Sequence, residues 1–388
     1  MMENSENSAD ANRSVDTDSA GGRKCVYGVI SYLDCSFVIV VIGGLVVGCW
    51  WSTWSLMDHF VFPDDAKLSS WTSFSVGAFF SFVFIALQDK LVKICKTKTA
   101  AWCIATRLHV YLYSVAVIKL WRGSWGLLWV YAGQTLEVYA VTWIVTCVIL
   151  WIFRISYSMV AAPLAPLPLD LDGDYYYVKT RYYKGDAGIL FRTLEITASV
   201  LLQAVVALVW CSVWGITDHI LYPDDITKSA LASFTAAASL VLVLFVFRYP
   251  AIFLSKHAKN SVARLVLEDT WFLLQHLAAV QHWRGFWLLY AIFILPGIPP
   301  AGPVIGHLVA FLVLTFMFCG YAIAIAGMTC VSKDGENVDG SVFQLPTYFT
   351  QMVRHFTPHS EPRQTSLEMD GIRHTNEITV EYEADDSA

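Results

Sequence analysis

The sequence predicts an all-α polytopic membrane protein whose eight transmembrane helices form two tandem parallel four-helix repeats. Composition is the first reason: 56% of the residues are hydrophobic and only 15% are charged, whereas soluble domains carry about 25% charged residues. The second reason is that the apolar residues fall in long runs. Each run approaches the ~20 residues that a helix needs to cross ~30 Å of hydrocarbon.

The third reason is that two motifs each occur twice. An Asp-His-x-x-x-Pro-Asp-Asp turn supplies Asp58, His59, Asp64, Asp65, Asp218, His219, Asp224 and Asp225. A Trp-Arg-Gly-x-Trp motif supplies Trp121, Arg122, Gly123, Trp125, Trp283, Arg284, Gly285 and Trp287. Because the motifs recur in the same order among the apolar runs, they indicate a tandem duplication of one membrane unit.

The hydropathy pattern gives the expected limits of the spans and domains. We expect spans at 35–57, 70–87, 99–118, 127–153, 194–216, 229–247, 262–282 and 304–328. The expected domains are a disordered cytoplasmic N-terminal tail (1–32), a first four-span repeat (33–153), a cytoplasmic linker (154–193), a second four-span repeat (194–330) and a disordered acidic cytoplasmic C-terminal tail (331–388). The linker begins with a proline-rich stretch, which favours an extended chain.

The distribution of positive charge predicts the orientation. The three loops expected inside, with the residues next to the first span and Arg264 at the start of the seventh, carry 15 Lys and Arg, against five in the other loops. Cytoplasmic loops are enriched in these residues, so both termini are expected in the cytoplasm and both Asp-His turns outside. Four spans per unit is an even number, so the two repeats should run parallel. Cys25 and Cys95, beside basic residues, are either palmitoylated or unmodified thiols.

The two Asp-His turns allow three interpretations. Their carboxylates could bind a divalent cation, because calcium prefers Asp and Glu oxygen. His59 and His219 could instead sense extracellular pH. Alternatively, Pro63 and Pro223 end one helix while the acidic residues start the next, which is a purely structural role. Contact with a partner protein is a further alternative.

The Trp-Arg-Gly-x-Trp motifs allow two interpretations. The tryptophans could form part of the interfacial aromatic belt while the arginines reach the lipid headgroups. Alternatively, Arg122 and Arg284 form ion pairs with carboxylates of the Asp-His turns and hold the outer ends of the helices together.

Seven ionisable residues are expected inside the spans, most of them in the third span of each repeat: Arg107, His109, Glu137, Glu268, Asp269, His276 and His307. Such residues are costly in lipid and by default face the bundle interior or a water path. The repeat offset aligns Arg107 with Asp269, so an ion pair between the repeats is one hypothesis and isolated structural roles are the other. No nucleophile–base pair or metal cluster stands out, so we expect neither an enzyme nor a cofactor.

The eight spans, the duplicated acidic turns and the paired Trp-Arg-Gly-x-Trp motifs together resemble the Fuseless family, invertebrate neuronal membrane proteins, over about 33–328. The resemblance implies a presynaptic plasma-membrane protein that supports neurotransmitter release by organising or localising voltage-gated calcium channels at the active zone. It supplies no catalytic residues. With a net charge of −6, the expected partners are the lipid bilayer and active-zone proteins, not nucleic acid.

An ion channel or secondary transporter is the alternative function. Internal duplication combined with a polar third span in each repeat is also typical of a permeation path. The two hypotheses differ in one structural expectation. A path requires Arg107, Glu137, Asp269 and His276 to converge on one cavity.

Overall fold

A computed structural model describes residues 30–94, 100–165, 167, 169, 170, 178, 180, 182, 183, 188–294, 296, 298, 300–325, 343 and 346–356. These residues form helices and turns, with no strand among them. The helices of the first half are α1 (Ile30–Phe60), α2 (Ala66–Ile94), α3 (Ala100–Tyr131) and α4 (Leu136–Ile152). Those of the second half are α5 (Ile189–Ile220), α6 (Ile226–His257), α7 (Ser261–Phe293) and α8 (Ala301–Phe316). The all-helical expectation is confirmed.

Length and composition identify four described helices that could cross a membrane, namely α1, α2, α5 and α6. The helices α4 and α8 are apolar but shorter, with 17 and 16 residues. The helices α3 and α7 have 32 and 33 residues, long enough at 1.5 Å per residue to exceed the hydrocarbon core. Their charged residues lower their hydropathy, which is why they do not stand out as apolar spans.

The boundary between the third and fourth helices differs from the prediction. We expected spans at 99–118 and 127–153, but α3 continues to Tyr131 and α4 begins only at Leu136. The Trp-Arg-Gly-x-Trp motif contains no helix breaker, so the helix continues through it. The chain turns at Gly133, whose φ of 94° suits glycine. Thr135 then caps α4 by accepting a hydrogen bond from the Val138 backbone N–H.

The packing places four helices around the central axis. The helices α1, α3, α5 and α7 contact one another in that cyclic order. On the outside, α2 packs along α3 and α6 packs along α7. The helix α4 packs on α5, and α8 packs on α1, so each fourth helix lies against the first helix of the other half. The two halves are therefore interlocked.

Glycine allows α2 and α3 to approach closely. A Cβ added to Gly77 would lie 2.2 Å from the backbone nitrogen of Leu120, and one added to Gly123 would lie 2.2 Å from that of Phe74. The backbones touch at both positions, as at small-residue contacts between membrane helices. The equivalent contact of α7 is looser, because a Cβ at Gly285 would meet the Phe234 ring at 3.0 Å.

After α4 and after α8 the chain turns back into the bundle. Arg154 and Phe318 adopt positive φ values of 53° and 57° at the two reversals. Residues 155–165 then form a largely buried segment that includes the 3-10 helix Ser156–Met159. The short helix α9 (Tyr321–Ile325) follows the second reversal and is also buried. We call 155–165 and 319–325 the re-entrant segments.

The position of the first re-entrant segment differs from the prediction for the linker. We expected 154–193 to be a cytoplasmic connection that starts as an extended proline-rich chain. Its beginning instead packs in the protein core: Val160, Ala162 and Leu164 are all buried. These small and apolar residues can be buried because nearby side chains bond to their backbone carbonyls, as described below. Much of 166–187 lies outside the described residues.

The C-terminal tail also differs in part from the prediction. We expected disorder from 331 onward, but Phe349–Phe356 form a further helix, α10. The Asp34 carboxylate accepts hydrogen bonds from the backbone N–H groups of Tyr348 (2.7 Å), Phe349 (2.9 Å) and Thr350 (3.0 Å). These contacts cap α10 and join it to the start of α1. Cys25 and Cys95 lie outside the described residues.

Candidate functional site

The two Asp-His turns have the same local structure, and we call the end of the bundle that carries them the turn end. Phe62 and Tyr222 adopt positive φ values of 49° and 47°. Asp65 accepts the Leu68 backbone N–H at 2.9 Å and so starts α2. Asp65 therefore caps the start of α2, which is the helix-start role considered for the acidic residues of the turn.

The second turn repeats this cap with an added ion pair. Asp225 accepts the Lys228 backbone N–H at 3.0 Å and lies 2.9 Å from the Lys228 ammonium. Both interactions favour the ionised carboxylate and lower the pKa of Asp225 below its usual value. In both turns the middle carboxylates, Asp64 and Asp224, are exposed.

The histidines of the turns make local contacts. His219 Nδ1 lies 2.8 Å from the carbonyl oxygen of Gly215, and its ring packs against Tyr139. The His59 ring packs edge-on against Phe60. Among the described residues, no three His, Cys, Asp or Glu side chains are grouped closely enough to hold a metal ion. The structure thus does not group the Asp and His side chains of the turns, which were candidate metal ligands, into a metal site among the described residues.

Arg122 forms a fork of three hydrogen bonds at the turn end. Its Nε donates to Asp58 Oδ1 at 2.8 Å. Its two terminal nitrogens donate to Ser73 Oγ at 2.7 Å and to Ser69 Oγ at 2.9 Å. The guanidinium of α3 is therefore joined to α1 and α2 at once, with each nitrogen satisfied.

Arg284 repeats this fork in the second half. Its Nε donates to Asp218 Oδ1 at 2.8 Å, and its terminal nitrogens donate to Ser233 Oγ and Ser229 Oγ, both at 2.7 Å. The predicted ion pairs of Arg122 and Arg284 are present. The carboxylates involved, Asp58 and Asp218, are the first of each turn.

Eight tryptophans from the four central helices form two stacked rings. The deep ring consists of Trp50, Trp121, Trp210 and Trp283, and the mouth ring consists of Trp54, Trp125, Trp214 and Trp287. On each helix the two tryptophans are four residues apart, so they lie on the same face one turn from each other. The mouth ring is the one nearer the turn end.

Each ring closes on itself through edge-to-face contacts. Neighbouring centroids of the deep ring are 5.2, 5.7, 5.4 and 5.3 Å apart. Those of the mouth ring are 5.6, 5.7, 5.6 and 5.7 Å apart. Such pairs contribute about 0.5–1.5 kcal/mol each beyond area burial. The interfacial-belt interpretation is wrong for Trp121 and Trp283, which are 3% and 4% exposed in the core.

The re-entrant segments hold the deep ring in place. The indole N–H of Trp50 donates to the carbonyl oxygen of Ile323 at 2.9 Å, and that of Trp210 donates to Met159 at 3.0 Å. Trp283 donates to the first re-entrant segment as well. These bonds satisfy buried indole donors and buried carbonyl acceptors together, which explains how irregular backbone can be buried here.

A cavity of about 280 Å³ is lined by the two rings. Nine of its twelve lining residues are tryptophans: the eight ring members and Trp129. The other three are Ser55, Asp58 and Asp218. The carboxylate side chains remain about half exposed, at 56% and 48%, and they mark the mouth of the cavity.

Comparison with known proteins identifies the family. The Fuseless family model matches residues 29–324 of the 388-residue chain. The chain belongs to the Fuseless family. The match begins at the start of α1 and ends within α9, so it includes both turns, both tryptophan rings, the first re-entrant segment and all but the last residue of the second. Searches of the curated proteins and of the solved structures found no match.

The hypothesis of an ion pair between Arg107 and Asp269 is wrong, because Arg107 has a different partner. Arg107 on α3 instead pairs with Asp170, whose side chain is fully buried. Asp170 also accepts the backbone N–H groups of Gly320 (2.9 Å) and Tyr321 (3.1 Å), so it caps α9. The pairing therefore joins α3 to the second re-entrant segment.

The remaining intramembrane candidates of the Fuseless protein occupy separate places. Glu137 lies exposed in the first turn of α4 and not inside a span, because α4 begins only at Leu136. His276 is buried, with Nδ1 3.2 Å from the Met159 carbonyl oxygen and its ring against Trp210.

Four further candidates lie elsewhere. His307 on α8 lies 2.9 Å from Thr53 Oγ1, while His109 packs against the Phe84 ring. Glu268 is buried and Asp269 is half-buried on α7. The structure thus does not bring Arg107, Glu137, Asp269 and His276 to one cavity.

Several residues that organise the fold were not predicted from the sequence. Asp34 caps α10 and Asp170 caps α9, and both helices lie far from these aspartates in the chain. No pattern in the neighbouring sequence therefore marks either aspartate as a cap. The serine partners of the arginine forks did leave a signal. They occur in both halves four residues apart, at 69 and 73 and again at 229 and 233.

Proposed function

We propose that the chain is an eight-span presynaptic plasma-membrane protein that organises or localises voltage-gated calcium channels at the active zone and thereby supports neurotransmitter release. Membership of the Fuseless family supports this function through what the sequence resemblance implies. The observation that carries it structurally is that Glu137 lies exposed at the turn end while Arg107 is held in an ion pair with Asp170. A protein that positions partners needs a rigid, interlocked bundle but no shared polar path.

We propose further that the eight long helices form two parallel repeats, with the turn end outside and the opposite end in the cytoplasm. Two pairs of matching positive-φ residues support the repeat, namely Phe62 with Tyr222 and Arg154 with Phe318. The matched arginine forks support it too. The excess of Lys and Arg in the loops at the opposite end supports the orientation.

Neurons that lack the protein provide the test of function. Re-expression of the intact chain should restore both the calcium-channel density at active zones, measured by immunofluorescence, and the evoked release, measured electrically. A matched chain with the exposed Asp64→Asn change should do the same. Normal channel density in neurons without the protein would refute the proposed role.

An ion channel or secondary transporter, with a polar path along α3 and α7, is the second candidate. The observation that favours it is the cavity enclosed by α1, α3, α5 and α7. Purified protein in liposomes distinguishes the two functions. Flux of Na⁺, K⁺, Ca²⁺ or Cl⁻ above protein-free liposomes would support a channel, while calcium-channel localisation without flux supports the organising role.

A further inference from the structure

The tryptophan-lined cavity has walls of an unusual composition. Indoles approach it from all four central helices, because each of these helices contributes one tryptophan to each ring. No lysine or arginine of the described chain is among its lining residues. The only charged groups on this wall are the two carboxylates at the mouth. Aromatic faces and carboxylates both attract a positive charge.

The arginine forks leave part of each carboxylate available. Both contacts of Arg284 with Asp218 go to Oδ1, and the contact of Arg122 with Asp58 goes to Oδ1 as well. The serine pairs on α2 and α6 hold the two guanidinium groups in place on the outer side of the central helices. The carboxylates come from α1 and α5, which lie on opposite sides of the cavity.

The size and chemistry of the cavity restrict the ligand. A volume of about 280 Å³ lies just below the ~300–1,000 Å³ of sites for drug-sized molecules. Hard metal ions require several oxygen ligands at ~2.0–2.6 Å, and indole supplies none. A small ammonium ion with alkyl groups on nitrogen matches aromatic walls better, since its diffuse charge is attracted to ring faces and its alkyl surface is apolar.

We propose that this cavity binds a small organic ammonium ion, with its alkylated nitrogen against the indoles of the mouth ring and close to the carboxylate oxygens of Asp58 and Asp218 that the arginines do not contact. The deep ring forms the floor, since the indoles of Trp50, Trp210 and Trp283 are bonded to the re-entrant segments. The binding site is independent of the calcium-channel role, and either can fail without the other.

Purified full-length protein in nanodiscs allows a direct test with radiolabelled choline as the probe. Choline should bind saturably and be displaced by tetramethylammonium. Dimethylbutanol, the neutral isostere in which carbon replaces the choline nitrogen, should compete at least tenfold more weakly, because it keeps the shape and lacks the charge. Equal competition by dimethylbutanol would mean an apolar cavity only and would overturn the proposal, as would the absence of saturable choline binding by folded protein.

Variants locate the site. Trp214→Leu should weaken choline binding about tenfold, whereas Trp214→Phe, which retains an aromatic face, should weaken it less. Trp151→Leu is the matched control, because Trp151 is exposed on α4 and should leave binding unchanged. Helical circular dichroism and size-exclusion profiles establish that each variant is folded.

A charge variant keeps the test decisive if the tryptophan variants fail to fold. Asp58→Asn removes the charge but retains an oxygen that can accept from Arg122. It should weaken choline binding severalfold and leave dimethylbutanol competition unchanged, while Asp64→Asn should alter neither. Unchanged choline affinity in a folded Asp58→Asn protein would overturn the role of the carboxylates and with it the proposal.

Discussion

At the scale of single residues, Arg122 and Arg284 show how one side chain can join three helices. Each guanidinium uses all three nitrogens on an aspartate and two serines. An exposed ion pair contributes only ~0–1 kcal/mol, but loss of one partner of a buried pair costs more, because the other charge is left unsatisfied. The Arg284 side chain is 3% exposed and that of Arg122 is 10%, so the second fork is the more buried.

The first prediction exchanges the charges of the first fork. Arg122→Asp alone should lower the yield of folded protein and surface expression, because Asp58 then faces a second carboxylate. Adding Asp58→Arg should recover part of that loss, since the opposite charges are restored. Surface biotinylation and size-exclusion profiles measure both effects.

The matched control for the charge exchange combines Arg122→Asp with Asp64→Arg. Asp64 belongs to the same turn but is exposed and is not the residue that Arg122 contacts. This combination should recover less than the exchange with Asp58. Equal recovery by the two pairs would contradict a specific Arg122–Asp58 interaction.

A second prediction concerns the difference between the two forks. Arg284→Ala should destabilise the protein more than Arg122→Ala, because Arg284 is more buried and its loss also leaves the Ser229 carbonyl oxygen without the bond from the guanidinium at 3.3 Å. The expected difference is on the order of 1–2 kcal/mol, the cost of an unsatisfied buried polar group. Thermal unfolding of the two purified variants in detergent measures it, and equal melting temperatures would contradict the argument.

At the scale of helices, the contact between α2 and α3 depends on the absence of side chains. We predict that Gly123→Ala will cost ~1–3 kcal/mol or more, since its Cβ would overlap the Phe74 backbone, which cannot move aside easily. Gly285→Ala should be milder, because its Cβ meets only the ring of Phe234. The melting temperatures of the two variants provide the measurement.

The control for the glycine prediction is Gly188→Ala. No heavy atom lies within 4 Å of a Cβ added there, so the melting temperature should remain near that of the unchanged protein. Equal destabilisation by Gly123→Ala and Gly285→Ala would contradict the argument that the close approach of the α2 and α3 backbones sets the cost, because Ala has the higher helix propensity at both positions.

The attachment of α10 depends on Asp34. We predict that Asp34→Ala will release this helix, because three backbone N–H groups lose their acceptor and a helix cap contributes about 0.5–2 kcal/mol. Hydrogen exchange at 348–356 should accelerate while exchange in α5 remains slow. Unchanged protection of 348–356 would show that the apolar contacts of Phe343 and Tyr348 suffice to hold α10.

At the scale of the whole molecule, the proposed orientation gives the last prediction. Epitope tags placed at residue 10 and within 64–68 should differ in antibody access on intact cells, with only the second tag accessible. Permeabilised cells provide the control, because both tags should then bind antibody. Equal access of the two tags on intact cells would refute the orientation derived from Lys and Arg.

The sequence alone determined the helical membrane class, the family and the start of α2 and α6. These features depend on composition and on contacts between residues close in the chain, such as Asp65 with Leu68. The apolar runs indicate a membrane protein, and the repeated motifs mark equivalent places in the two halves. For Arg122 and Arg284 the sequence left two interpretations, contact with lipid headgroups and ion pairs with the carboxylates of the turns.

Only the tertiary structure decided which carboxylates those are, and that Arg107 pairs with Asp170. It also decided that the eight tryptophans close into two rings. The spacing of four residues shows that Trp50 and Trp54 share a helix face, but not what that face contacts. Which residues each tryptophan contacts depends on how four helices, far apart in the chain, pack around one axis. The same packing supplies hydrogen-bond donors from α1, α5 and α7, and these donors allow the short re-entrant segments to be buried.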